Sequence, residues 1–509
     1  MRVDKLRAIA VRSVAVRKLF VFRIARELRA HVSNDFVKLF GFVLLSLITL
    51  QLAGCGGSSS SSSSTPAAFS IGGTVSGLSG GSLTLINNES DPLSVSSNGS
   101  YKFGVTALSG GTYSVVLATP PPGQVCTLAN GSGVIANSNI TNVNIACSTG
   151  PEEVLYALSG GTDGRYPDSG LTAGGDGNFY GTTTYGGAND LGTVFKITPA
   201  GVHTVLHSFA GGPSDGQYPA SGLDLGNDGA LYATTTAGGT FGGGTFFKIT
   251  LDRNETNLYS FGGNGSGTNP QGLTPHSDGN FYGTTTSGGA NNLGTVFQVT
   301  PAGVQTVLYS FAGGADGQSP AAGLSDDSDG NLYGVTFYGG TDNFGTIFRI
   351  AVDGTGYTTL HSFAGGPSDG EYPGVKLRNV AGGSLYGSTG GGGAAGLGTI
   401  FRYDPSSGVT TVIYSFLGAP DDGSQPSCRL RVGNDGNLYG TTYYGGYFDL
   451  GTFFRVTPVG ILSVLYSFAG GNDGQNPNSS LVLTSDGAFY GTTVTGGPTN
   501  SGAIYKISP

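Results

Sequence analysis

A repeat of 50 to 53 residues is the feature that most constrains the fold of this 509-residue chain. Its most regular marker has the form (D/G)-G-x-(L/F)-Y-(G/A) and occurs seven times after residue 152. Each repeat contains four short segments with the composition of β-strands. A period near 50 with four short strands per unit is typical of the blades of a β-propeller. The marker tyrosines are Tyr180, Tyr232, Tyr282, Tyr333, Tyr386, Tyr439 and Tyr490.

The order of strands within the repeat predicts a closed ring. We label the strands a (around Leu171), b (NFYGTT), c (GTVFKIT) and d (TVLHSF). The repeat region begins with a d strand, Val154–Leu158, and ends with a c strand, Ala503–Ser508. The first strand can therefore complete the last sheet, which removes exposed sheet edges. We predict an all-β chain in which residues 154–509 form a seven-bladed β-propeller, with an open β-helix as the alternative.

The N-terminus has the pattern of an export signal. An apolar run from Leu39 to Ala53 follows a basic segment and is short for a membrane span. It ends in Leu52-Ala53-Gly54-Cys55, which resembles the lipobox of bacterial lipoproteins. The resemblance implies that residues 1–54 are a signal peptide and that the Cys55 thiol is acylated; a chance match is the alternative. The Gly- and Ser-rich residues 55–65 predict a flexible tether.

Net charge and the lipobox together predict the location and exclude some partners. The residues from Cys55 onward contain 13 basic and 29 acidic side chains, which argues against nucleic acid and anionic membrane surfaces as partners. We therefore expect the lipid to make the membrane contact, and we expect a monomer in the cell envelope. Gly56 after the cysteine implies, by the same resemblance, outer-membrane sorting.

Residues 66–148 predict a small β-sandwich, followed by a linker at 149–153. Asn98-Gly99 is a hairpin signal. The pattern resembles the prealbumin-like modules of exported bacterial proteins. Cys126 and Cys147 form an even pair in an exported module, which predicts a disulfide, with two free thiols as the alternative. The expected strands are Ser70–Val75, Leu83–Asn87, Ser100–Phe103, Thr112–Leu117, Gln124–Ala129 and Asn142–Ala146.

The repeat unit DGNLYGTTxxGGxxxxGTVFKITPxG is similar to a glycine-rich repeat of exported bacterial proteins. The resemblance covers about 350 residues, and it supports the repeat architecture without implying an activity. The Asp-Gly pairs between strands a and b, such as Asp176-Gly177, predict type I′ turns.

Binding is expected on the face that carries the d-to-a and b-to-c loops, because these loops are longer than the turns on the other face. The d-to-a loops repeat an aspartate, with Ser266 in the third repeat. A ring of carboxylates could hold Ca²⁺ or a cationic ligand, but repetition in nearly every unit favours an aspartate that caps its own loop. These aspartates are Asp163, Asp215, Asp316, Asp369, Asp422 and Asp473.

Two groups of side chains depart from the repeat and are candidate ligand contacts. Aromatic residues in the b-to-c loops could bind a sugar or a protein, or could pack between loops. Arg378 and Arg431 interrupt an otherwise neutral strand a near the central channel, so they could meet an anionic ligand. His207 and His361 replace a tyrosine of strand d and are interpreted as packing variants. The aromatic candidates are Tyr185, Phe337, Tyr338, Tyr443, Tyr444 and Phe448.

The sequence predicts a binding or scaffolding module for a protein or glycan. We find no catalytic constellation, no Cys or His cluster that suits zinc, and no cofactor motif beyond the calcium alternative. A propeller-type polysaccharide lyase or glycosidase and a purely structural envelope component are the alternatives.

Overall fold

The computed structural model describes residues 67–508 except 80, 120–123, 151, 220, 328 and 381. This part of the chain contains 40 β-strands and two single-turn 3₁₀ helices. None of its helices is long and apolar enough to span a bilayer. The predicted signal peptide, Cys55 and the tether lie outside the described residues.

Two four-stranded sheets form the region before the repeats, and they share one hydrophobic core. Leu85, Phe103 and Ile145 are buried in this core. The predicted β-sandwich is therefore present. Its strands are Ala68–Ser76 (β1), Leu83–Asn87 (β2), Asp91–Val95 (β3), Gly99–Leu108 (β4), Thr112–Thr119 (β5), Gln124–Ala129 (β6), Ser132–Val134 (β7) and Asn144–Thr149 (β8). The sheet orders are β4-β1-β8-β6 and β3-β2-β5-β7.

All six predicted sandwich strands are present, and the disulfide between Cys126 and Cys147 is confirmed. The sequence missed β3 and β7. The prediction of a hairpin at Asn98-Gly99 was wrong, because β3 and β4 belong to different sheets. The Asn98 side chain instead bonds the backbone of Leu78, accepting from its N–H at 2.7 Å and donating to its C=O at 2.8 Å.

Seven antiparallel sheets follow, one for each repeat, and the repeat region opens with Glu152–Ala157 (β9). Sheet 1 contains Leu171–Ala173 (β10), Phe179–Thr183 (β11), Thr193–Ile197 (β12) and His203–Ser208 (β13). Sheet 2 contains Gly216–Pro219 (β14), Asp224–Leu225 (β15), Leu231–Gly238 (β16), Thr245–Ile249 (β17) and Glu255–Ser260 (β18). Sheet 3 contains Thr268–Pro275 (β19), Phe281–Ser287 (β20), Thr295–Val299 (β21) and Gln305–Ser310 (β22).

Sheets 4 to 7 repeat this arrangement. Sheet 4 contains Ser325–Asp326 (β23), Asn331–Thr336 (β24), Thr346–Ala351 (β25) and Thr358–Ser362 (β26), preceded by the 3₁₀ turn Gly314–Asp316. Sheet 5 contains Gly370–Pro373 (β27), Arg378–Val380 (β28), Ser384–Gly392 (β29), Thr399–Asp404 (β30) and Val409–Ser415 (β31). Sheet 6 contains Gly423–Pro426 (β32), Arg431–Val432 (β33), Leu438–Gly445 (β34), Thr452–Val456 (β35) and Leu462–Ser467 (β36). Sheet 7 contains Gln475–Pro477 (β37), Val482–Leu483 (β38), Phe489–Thr495 (β39) and Ala503–Ile507 (β40), preceded by the 3₁₀ turn Gly471–Asp473.

The first strand of the repeat region completes the last sheet, as predicted. Strand β9 pairs antiparallel with β40, with Ala157 opposite Ala503 and Glu152 opposite Ile507. Sheet 7 also packs on sheet 1, where the rings of Phe179 and Tyr490 lie 4.3 Å apart. The ring is therefore closed, and the fold is a β-propeller.

A backbone hydrogen bond and a proline link each sheet to the one before it. The Tyr218 N–H donates to the Leu191 C=O at 2.8 Å, and Pro219 lies against Gly192. A Cβ on Gly192 would lie 2.6 Å from the Pro219 ring, so the repeat requires glycine at this position. The residue before the proline has a φ of 52° to 59° in every sheet. These residues are Tyr166, Tyr218, Asn269, Ser319, Tyr372, Gln425 and Asn476.

The turns between strands a and b differ from the prediction. Gly177 has a φ of 77°, whereas Asp176 is outside the positive-φ region, so the turn is not type I′. The Gly177 N–H bonds the Gly174 C=O, and the Gly174 N–H bonds the Asn178 C=O, which is a three-residue loop with one left-handed glycine. In this turn the Asp176 carboxylate accepts a hydrogen bond from the Tyr180 hydroxyl at 2.7 Å.

Candidate ligand-binding site

A cavity of about 220 Å³ lies where the inner segments of all seven sheets meet. Each sheet contributes residues from the short stretch between its loop proline and its buried strand-a leucine. Because this stretch directly follows the d-to-a loop, the cavity lies on the side of the ring that carries the longer loops, where binding was expected. Part of its wall consists of Asp168, Ser221, Asp224, Gln271, Lys376, Cys428, Arg429 and Asn478.

The residue just before the strand-a leucine is where the repeat symmetry breaks. This residue is glycine in four sheets, serine in sheet 7, lysine in sheet 5 and arginine in sheet 6. The glycines leave open space around the channel, and the two long basic side chains occupy positions facing that space. In sheet order these residues are Gly170, Gly222, Gly272, Gly323, Lys376, Arg429 and Ser480.

Lys376 and Arg429 are enclosed by protein but keep some accessible surface, because they face the cavity. The Lys376 ammonium donates to the Leu273 C=O at 3.1 Å, which connects sheet 5 with sheet 3. Burial lowers the pKa of Lys376, and the nearby Arg429 lowers it further. Burial likewise lowers the pKa of Arg429, to about 10, so the guanidinium stays charged at neutral pH. Its buried Nε has no hydrogen-bond partner among the described residues.

Two aspartates in the same wall supply the opposite charge. Burial raises the pKa of Asp224, an effect that Lys376 and Arg429 oppose. Burial also raises the pKa of Asp168, to about 6, although its carboxylate accepts a hydrogen bond from the Thr184 hydroxyl at 3.1 Å. The other carboxylate oxygen of Asp168 is buried and unpartnered within the described part of the chain.

Arg378 and Arg431 lie two residues beyond Lys376 and Arg429, where strands β28 and β33 begin. Burial lowers the pKa of Arg378, and Arg431 lowers it further. Four basic groups therefore cluster on or beside this wall with three aspartates, because Asp326 also interacts with the Lys376 charge. The net charge is positive when all seven are ionised. Such a wall attracts an anion, and arginine can bind a carboxylate or phosphate through two parallel hydrogen bonds.

The aromatic candidates lie in three separate groups. In the first, Tyr185 packs against Tyr166 and Tyr218, with ring centroids 5.9 and 5.2 Å away, and the Arg165 guanidinium lies 5.4 Å from its ring. Burial raises the pKa of Tyr185, and the charges of Tyr218 and Asp168 add to the effect. Tyr185 is therefore close to the cavity wall.

The second group lies between sheets 4 and 5. Phe337 stacks on Tyr372 at 5.3 Å, and Tyr338 contacts both rings. Tyr338 remains 40% exposed, whereas Phe337 is half-buried. These rings pack between loops, and Tyr338 still has an accessible edge; their role as ligand contacts stays a prediction.

The third group lies in sheet 6. Tyr443 and Tyr444 contact each other at 4.7 Å. Burial raises the pKa of Tyr443 to about 12, with further contributions from Tyr444 and Asp168, so this ring also lies near the cavity. Phe448 is half-buried beside Tyr447, whose hydroxyl donates to the Leu117 C=O of the sandwich at 2.5 Å.

The repeated aspartates of the d-to-a loops serve their own loops. Asp422 accepts hydrogen bonds from the Tyr414 hydroxyl at 2.8 Å and from the N–H groups of Leu417 and Gly423 at 2.8 and 2.7 Å. His207 and His361 replace the tyrosine in this arrangement and bond Asp215 and Asp369 at 3.2 and 3.1 Å. The two histidines are therefore polar partners as well as packing residues.

Sequence reasoning missed Lys376, Arg429, Asp168 and Asp224. The available signal was the departure from glycine and small residues at aligned positions of the repeat. This signal identified Arg378 and Arg431, which directly follow the strand-a leucine. The sequence did not show that the residue before the leucine also faces the channel. Cys428 is a buried counterpart of Ser221: each accepts an N–H, from Thr441 at 2.9 Å and from Thr234 at 3.1 Å.

The fold and this cavity define a β-propeller with a charged central site. Residues 112–328 and 306–505 match the Gloeobacter/Verrucomicrobia repeat, and the chain belongs to this family. No curated protein matches the sequence.

Several solved structures are similar over most of the repeat region. The virginiamycin B lyase of Staphylococcus aureus is 15% identical, with a TM-score of 0.47, over 70% of this chain and 98% of the lyase. The oligogalacturonate lyase of Vibrio parahaemolyticus is 12% identical, with a TM-score of 0.42, over 70% of this chain and 93% of that protein. A puromycin-hydrolyzing peptidase of Mycobacterium tuberculosis is 13% identical, with a TM-score of 0.44, over 67% of this chain and 50% of the peptidase.

Proposed function

We propose that this propeller is a binding module for a small anionic ligand, such as a sugar acid, which enters the central cavity. The observation that carries the proposal is the pair Lys376 and Arg429, which stand where four other sheets have glycine. A buried guanidinium nitrogen without a partner is costly unless a ligand or water satisfies it. A carboxylate in the cavity would supply that partner.

The size of the cavity limits the ligand. About 220 Å³ is below the range of roughly 300–1,000 Å³ that is usual for drug-sized molecules. One sugar acid or a small organic acid fits such a volume. Polar groups dominate the described lining of the cavity, including Asp168, Ser221 and Gln271, which suits the hydroxyl groups of a sugar acid.

A propeller-type lyase that acts on an acidic sugar is the second candidate. The lowered pKa of Lys376 favours a neutral amine that could accept a proton, while Arg429 could neutralise the substrate carboxylate. Formation of an unsaturated product from a uronate polymer would support this candidate over simple binding.

Calorimetric titration of the full chain with D-glucuronate and D-glucose tests the proposal. We expect glucuronate to bind and glucose to bind at least 10-fold more weakly. Lys376→Met and Arg429→Met remove the charge and keep an unbranched side chain. Each should weaken glucuronate binding by roughly 10- to 100-fold, the usual worth of a charge-assisted hydrogen bond. Lys248→Met is the matched control, because Lys248 pairs with Asp228 in a turn between strands a and b.

Equal binding of the acid and the neutral sugar would contradict the proposal, as would full affinity in both cavity variants. If Tyr338→Ala and Tyr444→Ala abolish binding of a glycan while the cavity variants do not, the site is formed by the aromatic residues of the b-to-c loops. These outcomes separate a cavity ligand from a surface ligand.

We also propose that the chain is exported and anchored to the outer membrane through acylated Cys55. Support comes from the lipobox-like Leu52-Ala53-Gly54-Cys55 and from the Ser-rich stretch that follows it. Incorporation of a labelled fatty acid should be lost in Cys55→Ser. Retained labelling in this variant would overturn the anchor.

A further inference from the structure

The outer edges of neighbouring sheets meet at an equivalent position all around the ring. Each position has three residues: the Tyr or His of strand d, the residue at the aspartate position of the d-to-a loop, and a residue at the start of strand d in the next sheet. The register of the d strands places Glu255 opposite Ile249 in sheet 2, as His203 lies opposite Ile197 in sheet 1. Sheet by sheet, the sets are His207/Asp215/Glu255, Tyr259/Ser266/Gln305, Tyr309/Asp316/Tyr357, His361/Asp369/Thr410, Tyr414/Asp422/Leu462, Tyr466/Asp473/Glu152 and Tyr156/Asp163/His203.

The set between sheets 1 and 2 is the one that combines an imidazole with two carboxylates. One ligand atom from each of His207, Asp215 and Glu255 lies within 4.8 Å of the others. His207 Nε2 and the Asp215 carboxylate are 3.2 Å apart. Asp215 is held in place by the Ala210 N–H at 2.7 Å and by the Gly216 N–H at 2.7 Å, so its orientation is fixed by the backbone.

A carboxylate oxygen of Glu255 independently indicates that this cluster lacks a hydrogen-bond or metal partner. One of its carboxylate oxygens is buried, and no described residue donates a hydrogen bond to it. Two carboxylates this close repel each other unless a proton or a cation lies between them.

We propose that His207, Asp215 and Glu255 bind one divalent transition-metal ion, of which Zn²⁺ suits the ligand set best. One imidazole nitrogen and two carboxylate oxygens, with a water as the fourth ligand, are a common tetrahedral set for zinc. The imidazole disfavours Ca²⁺ and Mg²⁺, which take oxygen ligands. The metal would replace the proton shared between His207 and Asp215 and would join the outer edges of sheets 1 and 2.

This site is separate from the central cavity and does not depend on the anion-binding proposal. The sequence did not reveal it, because its residues are 8 and 40 positions apart in the chain and come together through the packing of two sheets. Neither gap resembles the short ligand spacing of zinc motifs.

Sheets 4 and 5 provide a matched test of the proposal. They have His361 and Asp369 in the same arrangement, with Thr410 where the glutamate would be. Zn²⁺ is titrated into the purified, chelator-treated full chain by calorimetry. We expect one site, at least 10-fold weaker in Glu255→Gln, and a second site in Thr410→Glu. Mg²⁺ should give no comparable heat.

His276→Gln is the control, since His276 pairs with Asp278 in a turn between strands a and b. Its zinc affinity should equal that of the unchanged chain. The proposal is overturned if zinc does not bind, if Glu255→Gln binds zinc as tightly as the unchanged chain, or if His276→Gln loses the site. Circular dichroism of each variant shows whether lost binding reflects lost folding.

Discussion

The residues that hydrogen-bond each d-to-a loop are repeated from sheet to sheet, whereas the residues that face the channel differ between sheets. The d-to-a loops keep an aspartate in six of seven sheets, and each of these aspartates holds the end of its own strand d. The residues before the strand-a leucine change from glycine to lysine, arginine or serine. Side chains that every sheet needs are repeated, whereas side chains that serve one place in the ring are not.

This difference separates stability from binding. The repeated aspartate accepts hydrogen bonds from backbone N–H groups, of which that of Gly423 is buried. An unsatisfied buried donor costs about 1–3 kcal/mol. The clustered charges of the channel wall have the opposite character, because buried charges add little to stability unless their partners are complete. We therefore expect variants of the two sets to change the free energy of unfolding by different amounts and in different directions.

The largest effect should come from opening the ring. Deleting residues 152–158 removes strand β9, the pairing with β40 and the fully buried Leu158. We expect a loss of more than about 4 kcal/mol in the free energy of unfolding, measured by urea denaturation. Deleting residues 58–64 of the serine run is the size-matched control. An unchanged unfolding midpoint after the first deletion would refute the closure argument.

Removing a repeated aspartate should have the next largest effect. Asp422→Ala leaves the Tyr414 hydroxyl and the N–H groups of Leu417 and Gly423 without their acceptor. We expect a loss of about 3 kcal/mol, because three donors near the protein interior lose one shared partner. Asp421→Ala changes an exposed neighbour and should stay within about 0.5 kcal/mol. Similar unfolding curves for the two variants would contradict the role assigned to the loop aspartates.

A pH-dependent effect is expected where β9 meets sheet 6. Burial raises the pKa of Glu152 to about 9, and Asp473 raises it further. The folded chain therefore holds a proton that the unfolded chain releases near pH 4.5, so stability falls as pH rises from about 5 to 9. We expect a fall of about 2 kcal/mol between pH 5 and pH 8, seen as a lower melting temperature.

Glu152→Gln should flatten this pH profile, while the exposed Glu153→Gln should leave it unchanged. If the profile of Glu152→Gln has the original slope, the proton is held elsewhere.

The smallest change in stability should come from the channel. Lys376→Met removes one of four clustered basic groups and keeps the volume of the side chain. We expect a change between zero and a gain of about 1 kcal/mol, because buried charges are often replaced by apolar groups without loss. Thermal unfolding of the variant beside the unchanged chain measures this. A loss above 2 kcal/mol would mean that the channel charges stabilise the ring as the repeated residues do.

Much of the architecture follows from local signals in the sequence. The b, c and d strands and the closure by β9 were predicted because the repeat places the same apolar and aromatic residues in phase. The sandwich strands β2 and β6 were predicted with the observed bounds. The Asp-Gly pattern suggested the wrong turn between strands a and b. It does not show the hydrogen bond from the Tyr180 hydroxyl to the Asp176 carboxylate.

The sequence by itself determined the number of repeats, the strand order and the loop aspartates, since each follows from residues close together in the chain. The tertiary structure alone decided which side of strand a faces the channel, because that depends on how the sheets are arranged around one axis. It also decided that Asp224 shares the cavity with Lys376, and that Glu255 approaches His207. Folding brings charges from distant segments close together, and the lower dielectric constant of the interior strengthens their interaction. Their sites are therefore properties of the folded ring.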